Sequence, residues 1–224
     1  MKKIFENKIN LDRAWRRSFF LMIAGVIVMG IGVSLLKVTD FGTDPYSSMN
    51  YGVSEKIGLS LGTYQLFFNI TLLIVVLFID RKMIGTGTLG NMILVGYSAD
   101  FCTYILYDVL HIPSELSLSE RVAVLIPALI IFVIAAACYM QSDHGTSPYD
   151  AIPFIINNKI EEKTQKKGTY KIVRLCYDAF FTVVSIIVGG EWGVTTILMV
   201  VLLGPTVEFV GNLLHRDKKA QPDE

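Results

Sequence analysis

The sequence predicts an all-α polytopic membrane protein: about six transmembrane helices in two three-helix repeats, inverted relative to each other, with a short interfacial or re-entrant helix in each. Three observations predict this class: a mean hydropathy of +0.51, six apolar runs near membrane-spanning length, and motifs that occur twice. Charged residues are only 18% of the chain, below the ~25% of soluble domains. With 20 Lys+Arg against 20 Asp+Glu, the chain lacks the basic excess that nucleic-acid binding requires.

Six apolar runs approach the ~20 residues that a helix needs to cross a bilayer core. They are residues 18–38, 61–79, 88–107, 122–140, 172–189 and 195–214. Together they use about 120 of the 224 residues, which leaves no room for a soluble domain. A signal peptide is the alternative for the first run, but no A-x-A cleavage site follows it. We therefore expect this run to be retained as the first span.

The basic residues predict the orientation, because loops rich in Lys and Arg stay cytoplasmic. With six crossings and a cytoplasmic N-terminus, 16 basic residues face the cytoplasm, and only Lys37, Lys56 and Arg121 face the other side. Both termini are therefore expected in the cytoplasm. The predicted order is a basic head, a first membrane repeat, a connecting loop, a second membrane repeat and a tail, at residues 1–17, 18–110, 111–121, 122–215 and 216–224.

The repeats are visible as motifs that recur in the same order. DFGTDPY at 40–46 recurs as DHGTSPY at 143–149, GTY at 62–64 recurs at 168–170, and 85–101 aligns with 193–209 without a gap. Three spans per repeat would insert the second copy upside down. Inverted repeats are typical of secondary transporters, in which the substrate site lies at the repeat interface.

One alternative stays open. If the helices that begin at Pro45 and Pro148 also cross the membrane, each half has four spans, the repeats are parallel, and the charge count is again 16 to 3. The polar residues of the first of these helices make a poor lipid-facing span, and the second has only about ten apolar residues. Six spans plus two short helices are therefore preferred.

The two G-T-x-P-Y turns are candidate binding elements. Asp or Ser before the proline suits a helix N-cap, with proline at the first helical position. A capped helix start is the structural interpretation. In the functional one, the free N–H groups of two helix N-termini face a ligand. The candidate residues are Gly42, Thr43, Asp44, Tyr46, Gly145, Thr146, Ser147 and Tyr149.

Charged and polar residues inside apolar runs are the other candidates. Asp100 and Glu208 match across the repeats, four residues after a glycine, and a carboxylate in hydrocarbon usually faces a cavity or a partner. They are predicted to form a pair for protons or a cationic group, with snorkelling as the alternative. Arg174 and Asp178 are four residues apart and share a helix face, as an internal ion pair or a substrate contact. Asn69 is expected to bond a neighbouring helix rather than a ligand.

No motif for catalysis, a cofactor or a metal is present. The chain has no G-x-S-x-G, H-E-x-x-H, Walker or G-x-G-x-x-G pattern. Its three cysteines, Cys102, Cys138 and Cys176, lie far apart in apolar runs, so they suit neither disulfides nor a metal site. We expect neither an enzyme nor a bound cofactor, and any transport must be driven by a gradient or a partner protein.

These motifs resemble the YczE/YyaS/YitT group of bacterial membrane proteins over about residues 18–215, and most closely its YczE branch. That branch often has tryptophan after the turn proline, where this chain has Tyr46 and Tyr149. The resemblance implies a bacterial inner-membrane protein and supplies no mechanism.

The leading hypothesis is a small gradient-driven permease in the lipid bilayer, with a path for an unknown small molecule or ion between its repeats. The alternative is a non-transporting subunit, scaffold or regulator of another complex, with a homodimer or another membrane protein as partner. Faces of small residues, which pack helices closely, would serve this alternative: Gly25, Gly30 and Gly32 in the first span and 135–137 in the fourth.

Overall fold

The computed structural model describes the backbone of residues 2–113, 116–140, 142, 144–165 and 168–219. Within these ranges it describes the side chains from residue 15 to residue 206, and that of residue 209. All regular structure in this part of the chain is helical, which confirms the all-α prediction. The helices are α1 (Lys2–Val38), α2 (Pro45–Ile57), α3 (Leu61–Ile79), α4 (Thr86–Tyr104), α5 (Leu118–Met140), α6 (Pro148–Thr164), α7 (Tyr170–Val188) and α8 (Val194–Lys219). A 3-10 turn (Arg81–Met83) precedes α4, and a π turn (Ile105–Val109) continues it.

Local sequence explains how the two short helices begin and end. The Asp44 side chain accepts a hydrogen bond from the backbone N–H of Ser47, and proline is the first residue of α2. Ser147 accepts in the same way from the N–H of Asp150 at the start of α6. These N-caps are as the turn motifs predict. α2 ends at Gly58, whose φ of 69° is in the left-handed region that favours glycine.

Among the residues that the structure describes, four helices are long and apolar enough to cross a membrane: Trp15–Val38 of α1, α3, Thr86–Val109 of α4 with its π turn, and α5. They support the prediction of an α-helical membrane protein. α7 has 19 residues but carries Lys171, Arg174 and Asp178. The apolar part of α8 within the described side chains, Val194–Thr206, is shorter. α7 and α8 are the predicted fifth and sixth spans.

Contacts between helix ends give the relative directions of the long helices. Arg121 at the start of α5 donates from Nε to the carbonyl of Thr39, just after α1, at 2.6 Å. At the other end, Ser18 of α1 donates to the carbonyl of Ser142, just after α5. α1 and α5, the first helices of the two repeats, are therefore antiparallel.

The same loop contact occurs once in each half. After α1, the carbonyl of Phe41 accepts from the N–H of Thr195 at the start of α8, at 2.9 Å. After α5, the carbonyl of His144 accepts from the N–H of Gly87 at the start of α4, at 2.7 Å. Each turn motif is thus tied to the last helix of the other repeat.

The short helices begin at the centre of the bundle and end at opposite ends of it. Their first turns meet where the rings of Tyr46 and Tyr149 pack with centroids 4.4 Å apart. Glu55, near the end of α2, forms an ion pair at 2.7 Å with Lys37 at the end of α1. The C-terminal part of α6 instead lies beside the start of α7, where Thr169 donates to Asn157 at 2.6 Å.

The small-residue faces are used inside the chain. An added Cβ at Gly30 of α1 would overlap the Val95 carbonyl of α4, and one at Gly32 would come within 3.0 Å of Phe132 Cβ in α5. Gly25 faces the Ala135 carbonyl of α5 at an ordinary contact distance of 3.6 Å. These glycines let α4 and α5 pack closely on α1, as small residues do between membrane helices.

Candidate functional site

A polar cavity of about 40 Å³ lies where the N-terminal turns of α2 and α6 meet. One buried water needs roughly 10–15 Å³ by the same measure, so the cavity has room for about three waters. Its apolar wall comes from α1, α4, α5 and α8. Its polar wall is formed by Asp44, Tyr46, Ser47, Gln65, Asn91, Ser147, Tyr149, Asp150 and Arg174.

The second repeat contributes a buried network of charges. Arg174 of α7 donates from Nη1 to Asp150 and from Nε to Asp178, each at 2.7 Å. Asp150 also accepts from the hydroxyl of Ser147 at 2.6 Å, and Asp178 accepts from the hydroxyl of Tyr149 at 2.7 Å. All five residues are buried. The guanidinium is therefore shared by two carboxylates, and each of these has a hydroxyl donor as well.

The first repeat has a neutral partner for its tyrosine, and its carboxylate in the cavity wall is Asp44. The hydroxyl of Tyr46 donates to Oδ1 of Asn69 at 2.8 Å. Asp44 accepts from the N–H of Ser47 with Oδ1, while its other oxygen, Oδ2, is buried without a partner. Oε1 of Gln65, which is 2% exposed, has no partner either.

The helix register shows which residues correspond. α3 begins at Leu61 and α7 at Tyr170, and both have 19 residues. Gln65 and Arg174 are then the fifth residues of their helices, and Asn69 and Asp178 are the ninth. The hydrogen bonds from Tyr46 to Asn69 and from Tyr149 to Asp178 agree with this register. The glycine contacts agree as well, because Gly96 faces Gln65 and Gly204 faces Arg174. The recurrence of GTY predicts an offset of 106 residues, whereas the helices are offset by 109.

The glycine and threonine residues of the turns position the caps and are not part of the cavity wall. Gly42 and Gly145 have φ of 93° and 90°, and an added Cβ would overlap the backbone N of Gly193 or of Gly85. Two backbone bonds hold the threonines: Thr43 N–H donates to the Glu191 carbonyl at 3.0 Å and Thr146 N–H to the Met83 carbonyl at 3.2 Å. Within the motifs, the glycines and threonines thus hold the backbone in place, whereas Asp44, Tyr46, Ser147 and Tyr149 line the cavity.

Asp100 lies away from the cavity wall. It is half-buried in α4, and its Oδ2 accepts from the N–H of Gly62 in the first turn of α3 at 2.8 Å. This bond satisfies a free donor at a helix start. Glu208 is in α8, but its side chain lies outside the described residues, so the predicted pairing of the two acids stays a prediction.

Four polar residues of the wall, Ser47, Gln65, Asn91 and Asp150, are not among the predicted site residues. Gln65 and Asn69 have the same four-residue spacing in an apolar run as Arg174 and Asp178, which is the signal that could have identified Gln65. Asn91 has a buried amide nitrogen without a partner. Among the residues that the structure describes, no group of three or more His, Cys, Asp or Glu is placed to hold a metal ion.

Comparison with known proteins adds relatives without a known role. Residues 16–212 match a family of unknown function, DUF6198. The "Uncharacterized protein YyaS" of Bacillus subtilis is 27% identical over 192 residues, which are 86% of this chain and 91% of that protein. The "Uncharacterized membrane protein YczE" of Bacillus subtilis is 23% identical over 187 residues, 83% of this chain and 81% of that protein. An uncharacterized protein of Haemophilus influenzae is 20% identical over 207 residues, 92% of this chain and 89% of that protein. No solved structure matches significantly.

The relatives confirm the resemblance to the YczE/YyaS group. YyaS shares a larger fraction of residues with this chain than YczE does, so these identities do not single out the YczE branch. The family match begins within α1, at residue 16, and ends within α8, at residue 212. The chain therefore belongs to the family of unknown function DUF6198.

Proposed function

We propose that the protein is a gradient-driven membrane transporter whose substrate site is the central cavity. In this proposal α1, α3, α4, α5, α7 and α8 cross the membrane as two inverted three-helix repeats. α2 and α6 are re-entrant: each starts at the middle of the membrane and returns to the face from which its turn entered. The basic head and the tail face the cytoplasm, as the distribution of Lys and Arg favours.

The polar cavity is the observation on which the proposal rests. Burying a polar group without a partner costs free energy, and native proteins seldom do so without a reason. Here three unpartnered atoms, Asp44 Oδ2, Gln65 Oε1 and Asn91 Nδ2, belong to residues that line the same cavity. A bundle that only packs helices gains nothing from such a cavity, whereas a substrate site needs one.

The position of the cavity supports transport over simple binding. Antiparallel α1 and α5 are what inverted repeats require, and transporters with such repeats bind substrate at the repeat interface near the membrane midplane. The N-terminal turns of α2 and α6, one from each repeat, meet at this cavity. A scaffold or regulator has less support, because the small-residue faces that would serve it pack α1 against α4 and α5 within the chain.

Access of water to the cavity tests the proposal without knowledge of the substrate. A transporter must open its site to one face or the other, so Ser47→Cys should react with a membrane-impermeant thiol reagent. The background replaces Cys102, Cys138 and Cys176 with serine. Val26→Cys is the matched control, because Val26 is fully buried and does not line the cavity.

Labelling is measured in right-side-out and inside-out vesicles, under opposite proton and sodium gradients. We expect Ser47→Cys to react much faster than Val26→Cys, with rates from the two faces that change in opposite directions when a gradient is reversed. If Ser47→Cys reacts no faster than the control from either face under every gradient, the cavity is sealed and the transport proposal is wrong.

A further inference from the structure

The two ends of the cavity differ in how their charges are satisfied. In the second repeat, Arg174 supplies a guanidinium to Asp150 and Asp178. In the first repeat, Asp44 lines the same cavity with a buried oxygen that no donor reaches. The position that corresponds to Arg174 is Gln65, whose carbonyl oxygen also has no donor. The first repeat thus places two acceptors without a donor at the cavity, with a neutral glutamine where the second repeat has its arginine.

We infer that the cavity binds a small cation with N–H donors, a guanidinium or ammonium group, held by Asp44 Oδ2 and Gln65 Oε1. This deepens the transport function proposed above, on which it rests, by naming the substrate class. Hydrogen bonds in which the donor or the acceptor is charged are about twice as strong as neutral ones. A cation that donates at least two N–H groups can therefore form a strong bond with each of the two unpartnered acceptors at this cavity.

The charge balance at the cavity favours a positively charged ligand. Asp44, Asp150 and Asp178 contribute three carboxylates, and the guanidinium of Arg174, shared by the last two, contributes one positive charge. Negative charge is left when these groups are ionised, and charges buried in a membrane are costly unless they are paired. A cation reduces this excess, whereas an anion would add to it.

The aromatic pair offers the cation a second contact. In the second repeat, the guanidinium carbon of Arg174 lies 5.4 Å from the ring centroid of Tyr149, within the range of a cation–π interaction. Tyr46 occupies the corresponding place in the first repeat and lines the cavity. A guanidinium or ammonium group bound to Asp44 and Gln65 would have the ring of Tyr46 in the same cavity wall, as Arg174 has the ring of Tyr149 nearby. The amide nitrogen of Asn91 is one further donor, which can bind a water molecule or an acceptor atom of the bound cation.

Thermal unfolding of the purified full chain in detergent tests the inference, because a ligand that binds only the folded state raises its stability. The probes are methylguanidinium and methylammonium chloride at low millimolar concentration. Tetramethylammonium, NaCl and KCl at equal ionic strength are the comparisons. We expect a saturable rise in Tm with the two N–H cations and none with tetramethylammonium, which has the charge without the donors.

Two variants link the effect to the site. Asp44→Asn keeps a good N-cap but removes the charge, so affinity should fall by about tenfold or more. Gln65→Arg supplies a guanidinium from the chain itself, as the second repeat does, so the Tm should no longer respond to the probes. Glu162→Gln, an exposed acid far from the cavity wall, should respond like the unaltered chain.

The inference is overturned if the N–H cations leave Tm unchanged, if tetramethylammonium, Na⁺ or K⁺ is as effective, or if both site variants respond like the unaltered chain. Labelling of Ser47→Cys separates this failure from that of transport. Fast labelling that methylguanidinium does not slow leaves transport standing and refutes only the substrate class. Labelling no faster than Val26→Cys refutes transport itself.

Discussion

Gln65 and Arg174 occupy the same position in the two halves of the molecule, the fifth residue of a 19-residue helix that packs beside a glycine of α4 or α8. One is neutral with an unpartnered oxygen, and the other forms ion pairs with two aspartates. The two halves of the cavity wall are therefore related in position and differ in charge: the second repeat pairs its acids with an internal guanidinium, and the first has a neutral glutamine in that place.

Removing the internal guanidinium should destabilise the protein strongly. Arg174→Gln leaves Asp150 and Asp178 buried without their cation, and breaking a buried ion pair in this way costs about 3–5 kcal/mol. The triple variant Asp150→Ser/Arg174→Gln/Asp178→Asn instead gives the second repeat the neutral residues that the first repeat has at these three positions, Ser47, Gln65 and Asn69. It should recover most of the lost stability, because none of the three charges of this network remains. Chemical unfolding in detergent measures both. A triple variant no more stable than the single one would show that packing of the arginine, and not its charge, is what matters.

The hydroxyl groups of Tyr46 and Tyr149 should contribute differently to the free energy of unfolding. Tyr149 donates to the carboxylate of Asp178, and Tyr46 donates to the amide of Asn69. A hydrogen bond to a charged group contributes about 1.5–3 kcal/mol, against about 0.5–1.5 for a neutral one. Tyr149→Phe should therefore lower the unfolding free energy more than Tyr46→Phe does. The rings pack on each other at 4.4 Å, and phenylalanine keeps that contact in both variants. Equal losses would contradict an ionised Asp178.

The sequence predicts features that depend on neighbours along the chain. The N-caps at Asp44 and Ser147 follow from a polar residue before a proline, and the bond between Arg174 and Asp178 follows from their spacing of four. The third member of that network, Asp150, comes from another helix, and no local pattern contains that information. The same is true of Asp100, whose partner is a backbone N–H of α3. The sequence alone identifies a carboxylate in an apolar run, but it does not identify the N–H group that donates to this carboxylate.

The alignment of the two repeats is a second feature that the sequence predicts only in part. GTY is a good sequence match, but at 62–64 it lies inside α3, and at 168–170 only its tyrosine belongs to α7. α6 is longer than α2, with 17 residues against 13, so the connection before the next helix is shifted. A short motif fixes an alignment only where no insertion lies nearby. The pairing of Gln65 with Arg174 required the helix boundaries.

The turn glycines should be less tolerant than the glycine that ends α2. Gly42 and Gly58 both have positive φ, where a side chain costs about 1–2 kcal/mol. At Gly42 an added Cβ would also overlap the backbone of Gly193, whereas nothing lies within 4 Å of one at Gly58. Gly42→Ala should therefore lower Tm more than Gly58→Ala. Gly145→Ala should behave like Gly42→Ala, because it meets Gly85 in the same way. A Gly42→Ala effect no larger than that of Gly58→Ala would mean that the turn can move away from α8.

Thiol labelling of the exposed C-terminal ends of α2 and α6 decides between inverted and parallel repeats. Lys56 and Lys163 are exposed near the last turns of these helices. If the repeats are inverted, corresponding positions face opposite sides of the membrane, so Lys56→Cys should react from the periplasmic side and Lys163→Cys only from the cytoplasmic side. If α2 and α6 cross and the repeats are parallel, both positions face the same side. An impermeant reagent applied to intact cells and to inside-out vesicles separates the two results. We expect the first result, because Arg121 at the start of α5 contacts Thr39 at the end of α1, and parallel repeats would place these two ends at opposite faces of the membrane.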